Sequence, residues 1–266
     1  MTGEEKTALA SFLDLSLDFI SGGFRGKRSE FVYTNDNNEN TGEIAVNTNE
    51  TAINTSDTED RKRQLDELAA EISSCTRCGL CNTRTNTVPG EGVIQPLVMV
   101  IGEGPGEDED VSGKPFVGRA GQLLDRMLDS RGIIGLSRNT NCYIANILKC
   151  RPPGNRSPQQ DEIISCIPFL VNQIKILRPK IILAAGNTAA KTLLDSTEGI
   201  TKLRGTLTYF RGTLLMEGDF YIPLLPTFHP SALLRDESLK GPVWKDMQTL
   251  KAILKELDRE YAARNE

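Results

Sequence analysis

Hydrophobic and polar positions divide the chain into short apolar runs and longer amphipathic stretches. Four apolar runs have the length and near-continuous hydrophobicity of buried strands: residues 97–101, 143–148, 180–185 and 222–225. A helical spacing of apolar residues predicts helices at 120–130, 159–177 and 187–194, and a C-terminal helix with a stripe from Trp244 to Tyr261. Buried strands that alternate with helices predict an α/β fold: a three-layer sandwich with a central, mostly parallel four-stranded sheet flanked by helices.

Two weaker patterns flank this core. Leu65 and Leu68 begin a helical period that predicts the onset of order at Arg61. Residues 206–210 and 213–217, on either side of Arg211-Gly212, predict a hairpin at the edge of the sheet.

Composition separates the first 60 residues from the rest. They carry 12 acidic and 4 basic side chains, whereas residues 61–266 carry 24 acidic and 27 basic ones. Residues 34–60 are rich in Asn, Thr and Glu and nearly free of large apolar groups, which is typical of disorder. We therefore predict a largely disordered, acidic N-terminal extension over residues 1–60 and one folded domain over 61–266.

No apolar run approaches the roughly 20 residues of a membrane-spanning helix, and the N-terminus is acidic where a secretory signal would be basic. These features predict a cytoplasmic protein without a membrane partner. Six cysteines in such a chain point to metal or redox chemistry before disulfides.

Segments of unusual composition follow the ends of the predicted strands. The segment that begins at Gly102 (GEGPGEDED) follows the first strand, Lys149-Cys150-Arg151 follows the second, and the only histidine, His229, follows the fourth. Open α/β sheets bind ligands at the carboxyl ends of their strands. We therefore expect these segments to meet at one edge of the sheet and form an active site.

The cysteine spacing predicts an all-thiolate metal site. Cys75 and Cys78 form a C-x2-C pair, which Cys81 extends, and two distant thiolates could complete the set. Spacing alone leaves zinc and iron–sulfur both open. Cys142 lies inside an apolar run and is expected to be a buried, inert thiol.

Four separated motifs together resemble the family-four uracil-DNA glycosylases, the iron–sulfur members of the uracil-DNA glycosylase superfamily. They are CTRC, GEGPGEDEDVSGKPFVGRAGQLLD, ANILKCRPPGNRSP and HPSALLR. The resemblance covers about residues 63–262. It implies a 4Fe-4S cluster held by Cys75, Cys78, Cys150 and Cys166, with a structural role, and leaves Cys81 and Cys142 outside the ligand set.

The resemblance also implies the substrate-binding residues. His229 donates a hydrogen bond to uracil O2 as negative charge develops on the departing base. Phe116 stacks on the flipped base, and Asn146 matches uracil N3–H and O4, the reverse of the pattern that cytosine presents. The glycines Gly102 and Gly106 bring the backbone close to the ligand.

One departure concerns the attacking water. Family-one enzymes carry Gln-Asp-Pro-Tyr where this chain has Glu103-Gly104-Pro105-Gly106. Gly104 thus replaces the water-activating aspartate, and Glu103 becomes a candidate base, with residues 107–110 as possible electrostatic contributors. Gly106 replaces the tyrosine that blocks the thymine methyl group.

The DNA itself is expected to meet apolar and basic side chains. Leu233 and Leu234 are candidates for a wedge that fills the gap left by the flipped base. Candidate phosphate contacts are Arg235, Arg151, Arg156 and Lys149.

These residues predict a monofunctional, monomeric DNA repair glycosylase that removes uracil from single- or double-stranded DNA. Its expected location is the nucleoid, with a repair or replication partner at the N-terminal extension. The alternatives are a relative that prefers hypoxanthine or xanthine, and a non-catalytic Fe–S or zinc DNA-binding protein.

Overall fold

The computed structural model describes residues 55–129, 133–210 and 221–264. These residues contain one six-stranded sheet in the order β1-β3-β2-β4-β6-β5. Its strands are β1 (Glu91–Gly92), β2 (Val98–Gly102), β3 (Cys142–Asn146), β4 (Ile181–Ala185), β5 (Thr208–Phe210) and β6 (Ile222–Thr227). The four central strands β3, β2, β4 and β6 pair in parallel, which confirms the predicted core of the sheet.

The sheet extends beyond the predicted four-stranded core by one short strand at each edge. The two-residue strand β1 pairs antiparallel with β3, and β5 pairs antiparallel with β6. β5 is the first arm of the predicted hairpin, and the second arm, residues 213–217, lies outside the described residues. The finished sheet is therefore mostly parallel with an antiparallel strand at each edge.

Nine α-helices occur in the described ranges. They are α1 (Thr55–Ser73), α2 (Glu107–Ser112), α3 (Arg119–Asp129), α4 (Gln160–Leu177), α5 (Asn187–Leu194), α6 (Ile200–Leu203), α7 (Pro230–Arg235), α8 (Lys240–Leu257) and α9 (Arg259–Arg264). None of these helices has the length and apolar character that a membrane span requires.

Two helix boundaries differ from the predictions. Helix α1 begins at Thr55, six residues before the predicted onset of order at Arg61. The single predicted C-terminal helix is two helices, because Asp258 is extended and its carboxylate accepts a hydrogen bond from the Tyr261 N–H, which starts α9. The remainder of the predicted extension, residues 1–54, lies outside the described residues.

Alternate residues of the central strands face two separate cores. Val98 and Val100 pack with side chains of α3 and α8, whereas Met99 and Ile101 pack with side chains of α4 and α5. Helices on both faces explain why every residue of β2, β3 and β4 is buried. The parallel strands consequently end along one edge of the sheet, where the chain can build a ligand site.

Candidate active site and thiol pocket

The carboxyl ends of the parallel strands open onto a cleft of about 700 Å³. The cleft brings together nearly all of the substrate-binding and catalytic residues that the sequence singled out. Its lining includes Glu103, Gly104, Gly106, Phe116, Asn146 and His229. Gly102 lies directly behind the side chains of Phe116 and Asn146.

Asn146 is the last residue of β3, and its side chain is 2% exposed. Within the described residues its Oδ1 atom has no hydrogen-bond partner. A buried acceptor left unpaired costs about 1–3 kcal/mol, so this atom requires a donor from outside the described residues. Gly102 makes the room, since a Cβ there would lie 2.5 Å from this Oδ1 and 2.6 Å from Cζ of Phe116.

Phe116 is held in the left-handed region, with φ of 53°. Glu109 on α2 accepts hydrogen bonds from the N–H groups of the next two residues, Val117 and Gly118, at 2.9 and 3.0 Å. The guanidinium of Arg138 donates to the Phe116 carbonyl at 3.0 Å and pairs with Asp125. The backbone that carries the ring is therefore held by two side chains before any ligand binds.

The structural roles of Glu109 and Arg138 were missed at the sequence level. Residues 107–110 form the first turn of α2, and Asp110 is buried, where its carboxylate accepts from the Thr85 N–H at 2.9 Å. Glu109 and Asp110 thus have hydrogen-bond partners within the fold, a role that the sequence did not assign to any residue of this acidic run. The capping-box position of Glu109, three residues after Gly106, is the sequence signal that could have revealed it.

His229 caps the N-terminus of α7 and lies 5.5 Å from Phe116, measured between ring centroids. Its Nδ1 accepts a hydrogen bond from the Ser231 N–H at 3.2 Å, and Ser231 Oγ lies 2.8 Å away. An accepting Nδ1 places the proton of the neutral ring on Nε2. Burial, aided by the charge of Arg235, lowers the pKa of His229 to about 4, so the imidazole is neutral at pH 7.

Gly186 lets His229 approach β4. Its φ is +99°, and a Cβ there would lie 2.9 Å from Cβ of His229. Below the histidine, Thr227 donates to the buried carboxylate of Asp246 at 2.7 Å, and Arg204 pairs with the same carboxylate. The chain on either side of the imidazole is thus anchored.

Glu103 accepts a short hydrogen bond from the Thr188 hydroxyl at the start of α5. This bond leaves the other carboxylate oxygen of Glu103 available to the cleft. At Gly104 a Cβ would make ordinary van der Waals contact, with Cβ of Leu148 nearest at 3.5 Å. Gly106 donates its N–H to Glu109, and any Cβ at this position would meet that carboxylate at 2.7 Å.

The predicted DNA contacts separate into two groups. Leu234 and Arg235 are exposed at the end of α7, whereas Leu233 is 2% exposed and belongs to the core, so its prediction as an exposed wedge is wrong. Lys149 is buried as well, which excludes it as a phosphate contact.

The other two arginines are already paired. The guanidinium of Arg156 donates two hydrogen bonds to the buried carboxylate of Glu162, at 2.9 and 2.5 Å. Arg151 donates to Asn155 Oδ1 and lies 3.4 Å from the Glu107 carboxylate. Both therefore order the loop at the rim of the cleft in addition to carrying charge there.

The thiols of Cys75, Cys78, Cys150 and Cys166 line a second pocket, on the far side of this loop. Its base is apolar, formed by Ile72 and Phe169. Hydrogen-bond donors point at two of the sulfurs: Arg84 donates to Cys150 Sγ at 3.3 Å, and the Lys149 N–H donates to Cys166 Sγ at 3.2 Å. Such donors stabilise thiolates that serve as metal ligands.

Cys81 lines the same pocket, although the resemblance leaves it outside the ligand set. The turn Gly79–Asn82 is a 3-10 helix, in which residues three apart lie on one side, so Cys81 follows Cys78 to the pocket. Cys142 is fully buried in β3, and burial raises its pKa to about 12, as expected of an inert thiol.

Among the described residues, no three His, Cys, Asp or Glu side chains are arranged to hold a single metal ion. The four cysteines line one pocket together. Burial raises the pKa of Cys166 to about 11 and also raises the pKa values of Cys78 and Cys150. The pocket therefore favours thiolates only together with a positively charged ligand.

The fold and the cleft define an α/β protein that binds a ligand at the carboxyl edge of a parallel sheet and carries an all-thiol pocket beside it. Comparison with known proteins places it more narrowly. The family model "Uracil DNA glycosylase superfamily" matches residues 89–256.

Curated relatives agree with this match. A type-4 uracil-DNA glycosylase of Saccharolobus solfataricus is 41% identical over 194 residues, which are 71% of this chain and 86% of that protein. That of Thermotoga maritima is 41% identical over 198 residues, 73% of this chain and 97% of that protein. The chain therefore belongs to the uracil DNA glycosylase superfamily, and within it to the type-4 uracil-DNA glycosylases, as the sequence motifs predicted.

Proposed function

We propose that this chain hydrolyses the N-glycosidic bond of uracil in DNA and leaves an abasic site without cutting the strand. The observation that carries the proposal is the buried, unpaired Oδ1 of Asn146 in the cleft. Uracil N3–H can donate to this oxygen while uracil O4 accepts from Nδ2 of the same amide. Cytosine presents an acceptor at N3 and a donor at C4, so it leaves both groups of Asn146 unsatisfied.

Phe116 supplies the stacking surface. A base inside a duplex is out of reach, so the enzyme must take it out of the stack at a cost of a few kcal/mol. Glu109 and Arg138 already hold the backbone that carries this ring, so that backbone loses little conformational freedom when the base arrives.

His229 stabilises the leaving group. As the bond between N1 and the sugar breaks, negative charge develops on the uracil, much of it on O2. The neutral ring presents its Nε2–H as a fixed hydrogen-bond donor, and the bond from the Ser231 N–H to Nδ1 holds that orientation. Because the ring stays neutral, it acts through this hydrogen bond and keeps its proton.

Glu103 is the proposed residue that orients the attacking water. Its carboxylate faces the cleft, and the Thr188 hydroxyl fixes one of its oxygens. Gly104 contributes no side chain to this step. The oxocarbenium character of the sugar in the transition state is favoured by the same negative charge.

We propose that exposed side chains at the rim of the cleft contact the DNA backbone and fill the gap that the flipped base leaves. Leu234 is the proposed wedge, since it is 40% exposed one residue before Arg235. Arg235, Arg151 and Arg156 are the proposed phosphate contacts, with the two loop arginines already oriented by carboxylates.

For the thiol pocket we infer a 4Fe-4S cluster held by Cys75, Cys78, Cys150 and Cys166. Thiolates bind such a cluster, and the thiols of these four residues line a single pocket. When bound, the cluster would stabilise the loop that forms the wall between the two pockets. The resemblance of the four sequence motifs to the iron–sulfur uracil-DNA glycosylases supports this assignment over zinc.

The proposal extends to the biological setting. We propose a monomer that acts on uracil in single- or double-stranded DNA at the nucleoid and recruits a repair or replication partner through residues 1–60. The net charge of −8 on that segment, counted from 12 acidic and 4 basic residues, supports a basic partner surface. Size-exclusion chromatography tests the monomer, and partner capture with and without this segment tests the recruitment.

The main test is an alkali-cleavage assay on matched oligonucleotides that contain uracil, hypoxanthine, xanthine or thymine at one position. We expect scission with uracil and none with thymine. His229→Ala and Asn146→Ala should each lower the single-turnover rate by about 10²–10³-fold with little change in melting temperature. Scission with hypoxanthine or xanthine alone would support that alternative substrate, and no scission on any substrate would support a binding protein.

A separate measurement tests the cofactor. Purified protein should contain four irons and four sulfides per chain and absorb broadly near ~400 nm. A colourless protein with stoichiometric zinc would contradict the assignment.

A further inference from the structure

Lys149 lies between the thiol pocket and the cleft. Its side chain is 1% exposed, and its Nζ donates to the backbone carbonyl of Asn146 at 2.9 Å and to Oε1 of Gln173 at 2.7 Å. Its backbone N–H donates to Cys166 Sγ at 3.2 Å. A single residue thus contacts both the thiol pocket and the strand end that bears the base-binding amide.

Helix α4 supplies both anchors of Lys149. Cys166 and Gln173 are seven residues apart, which places them on the same face two turns from each other. The Gln173 amide is itself oriented, because its Nε2 donates to the Pro89 carbonyl at 2.8 Å. A rotated amide would lose that bond, so Oε1 stays directed at the lysine.

Packing alone does not account for a lysine here. Within the part of the chain that the structure describes, both acceptors of its ammonium are neutral oxygens. A buried ammonium carries a large desolvation cost, whereas a methionine of similar length would fill the space without it. The charge and the donor groups of the lysine therefore serve something other than filling volume.

Asn146 needs such a support. Its side-chain Oδ1 has no partner in the described residues, so no contact of that atom fixes the amide before a ligand binds. The position of the amide depends on the backbone of residue 146, and the carbonyl of that residue is the group that Lys149 binds.

We propose that Lys149 is a positioning residue for Asn146: it fixes the backbone from which the uracil-binding amide projects, and it ties that backbone to the thiol pocket through Cys166. This inference rests on the proposed function. Under this proposal, the region between the two pockets has a role in substrate recognition.

The test compares Lys149→Met with wild type. Methionine keeps the apolar stem and the backbone N–H to Cys166, and it removes the ammonium. Four quantities are measured: single-turnover uracil release, inhibition by free uracil, affinity for an undamaged oligonucleotide, and iron content. We expect release and inhibition by uracil each to weaken by about 10- to 100-fold, with iron content and undamaged-DNA affinity within about twofold of wild type.

Two further variants make the result decisive. Gln173→Met removes one anchor of the ammonium and should weaken uracil inhibition in the same direction by a smaller factor. Lys180→Met changes an exposed lysine next to β4, at the end of the strand away from the cleft, and should match wild type. A purely structural role for Lys149 would lower the melting temperature and the active fraction, yet leave inhibition of the active molecules by uracil unchanged.

Wild-type uracil inhibition in Lys149→Met would overturn the proposal. If that variant fails to fold, Gln173→Met decides, and unchanged uracil inhibition there is equally contrary. Failure of the wild-type protein to release uracil is a different result, because it would remove the proposed function itself.

Discussion

At the scale of single residues, the chain's one histidine has a defined protonation state. Its Nδ1 accepts from the Ser231 N–H, and burial holds its pKa near 4. A donor that stays neutral across the physiological range makes its hydrogen bond to the leaving base independent of pH there. The proposed stabilisation of the base by His229 is therefore separate from activation of the water, which we propose for Glu103.

Because the chain contains one histidine, NMR can test this state without assignment. With ¹⁵N-labelled histidine, we expect one imidazole, protonated on Nε2, with no titration between pH 5.5 and 8. The folded protein binds fewer protons than the unfolded chain between about pH 4 and 6.5, so this residue favours folding increasingly as pH rises through that window. A midpoint near the ordinary value of 6.5 would contradict the burial of the ring.

Gly102 offers a second test at this scale. Gly102→Ala places a Cβ within 2.6 Å of both Asn146 Oδ1 and Phe116 Cζ, so those side chains must move apart. We expect uracil release to fall by at least about 10²-fold, as for a displacement of about 1 Å in an active site. Gly241→Ala on α8, where a Cβ meets nothing within 4 Å, is the matched control and should keep the wild-type rate.

At the scale of elements, α4 carries residues that serve three parts of the site. Glu162 binds Arg156 at the cleft rim, Cys166 faces the thiol pocket, and Gln173 binds Lys149. Their spacings of four and seven residues place all three on one face. Displacement of this helix would therefore disturb the rim, the thiols and the base-binding strand together.

Glu162→Gln tests the start of that helix. The Arg156 guanidinium, together with the Gln159 N–H, lowers the pKa of Glu162, so the carboxylate stabilises the fold above the unfolded value of 4.5 and loses this effect as pH falls through the folded value. We expect a lower melting temperature than wild type at pH 7 and a smaller difference at pH 4, measured by circular dichroism. Glu198→Gln, which breaks an exposed pair with Lys202, should change the melting temperature much less. Equal effects of the two variants would argue against an anchoring role for Glu162.

At the scale of the whole molecule, sequence patterns predicted the long elements and the edge of the sheet where the site lies. The parallel strands are continuous apolar runs. The motifs at their ends could be placed at one site because open α/β sheets bind ligands at the carboxyl ends of their strands. The strand β1 was missed because two residues carry no period. Leu233 and Leu234 are adjacent on a six-residue helix, and only the packing of α7 on α3 decides which one is buried.

The contacts that the sequence did not predict have a common cause. Arg138 reaches back 22 residues to the Phe116 carbonyl, and Lys149 meets Gln173 across 24 residues. Local sequence gives no sign of such pairs, since each depends on how separate elements pack. Cys81 is the exception, because its spacing of three from Cys78 was visible and needed only the 3-10 turn.

Removal of residues 1–54 tests whether the folded domain acts without the N-terminal extension. The described α1 starts at Thr55, and the family match begins at residue 89, so the truncated protein keeps all elements that build the two pockets. We expect its uracil release rate and melting temperature to stay close to those of the full chain. A rate reduced by tenfold or more would assign the extension a direct part in DNA binding or catalysis.

Behind Phe116, Gly121 touches the backbone so closely that a Cβ there would lie 1.8 Å from the Phe116 carbonyl oxygen. No side-chain rotation relieves such an overlap, because both partners are backbone. No other residue can therefore replace glycine at this position as long as the loop keeps its shape. A homologue with any other residue at the equivalent of Gly121 must have a different backbone path in the loop that carries the proposed stacking ring, which makes this one position a marker of loop shape among relatives.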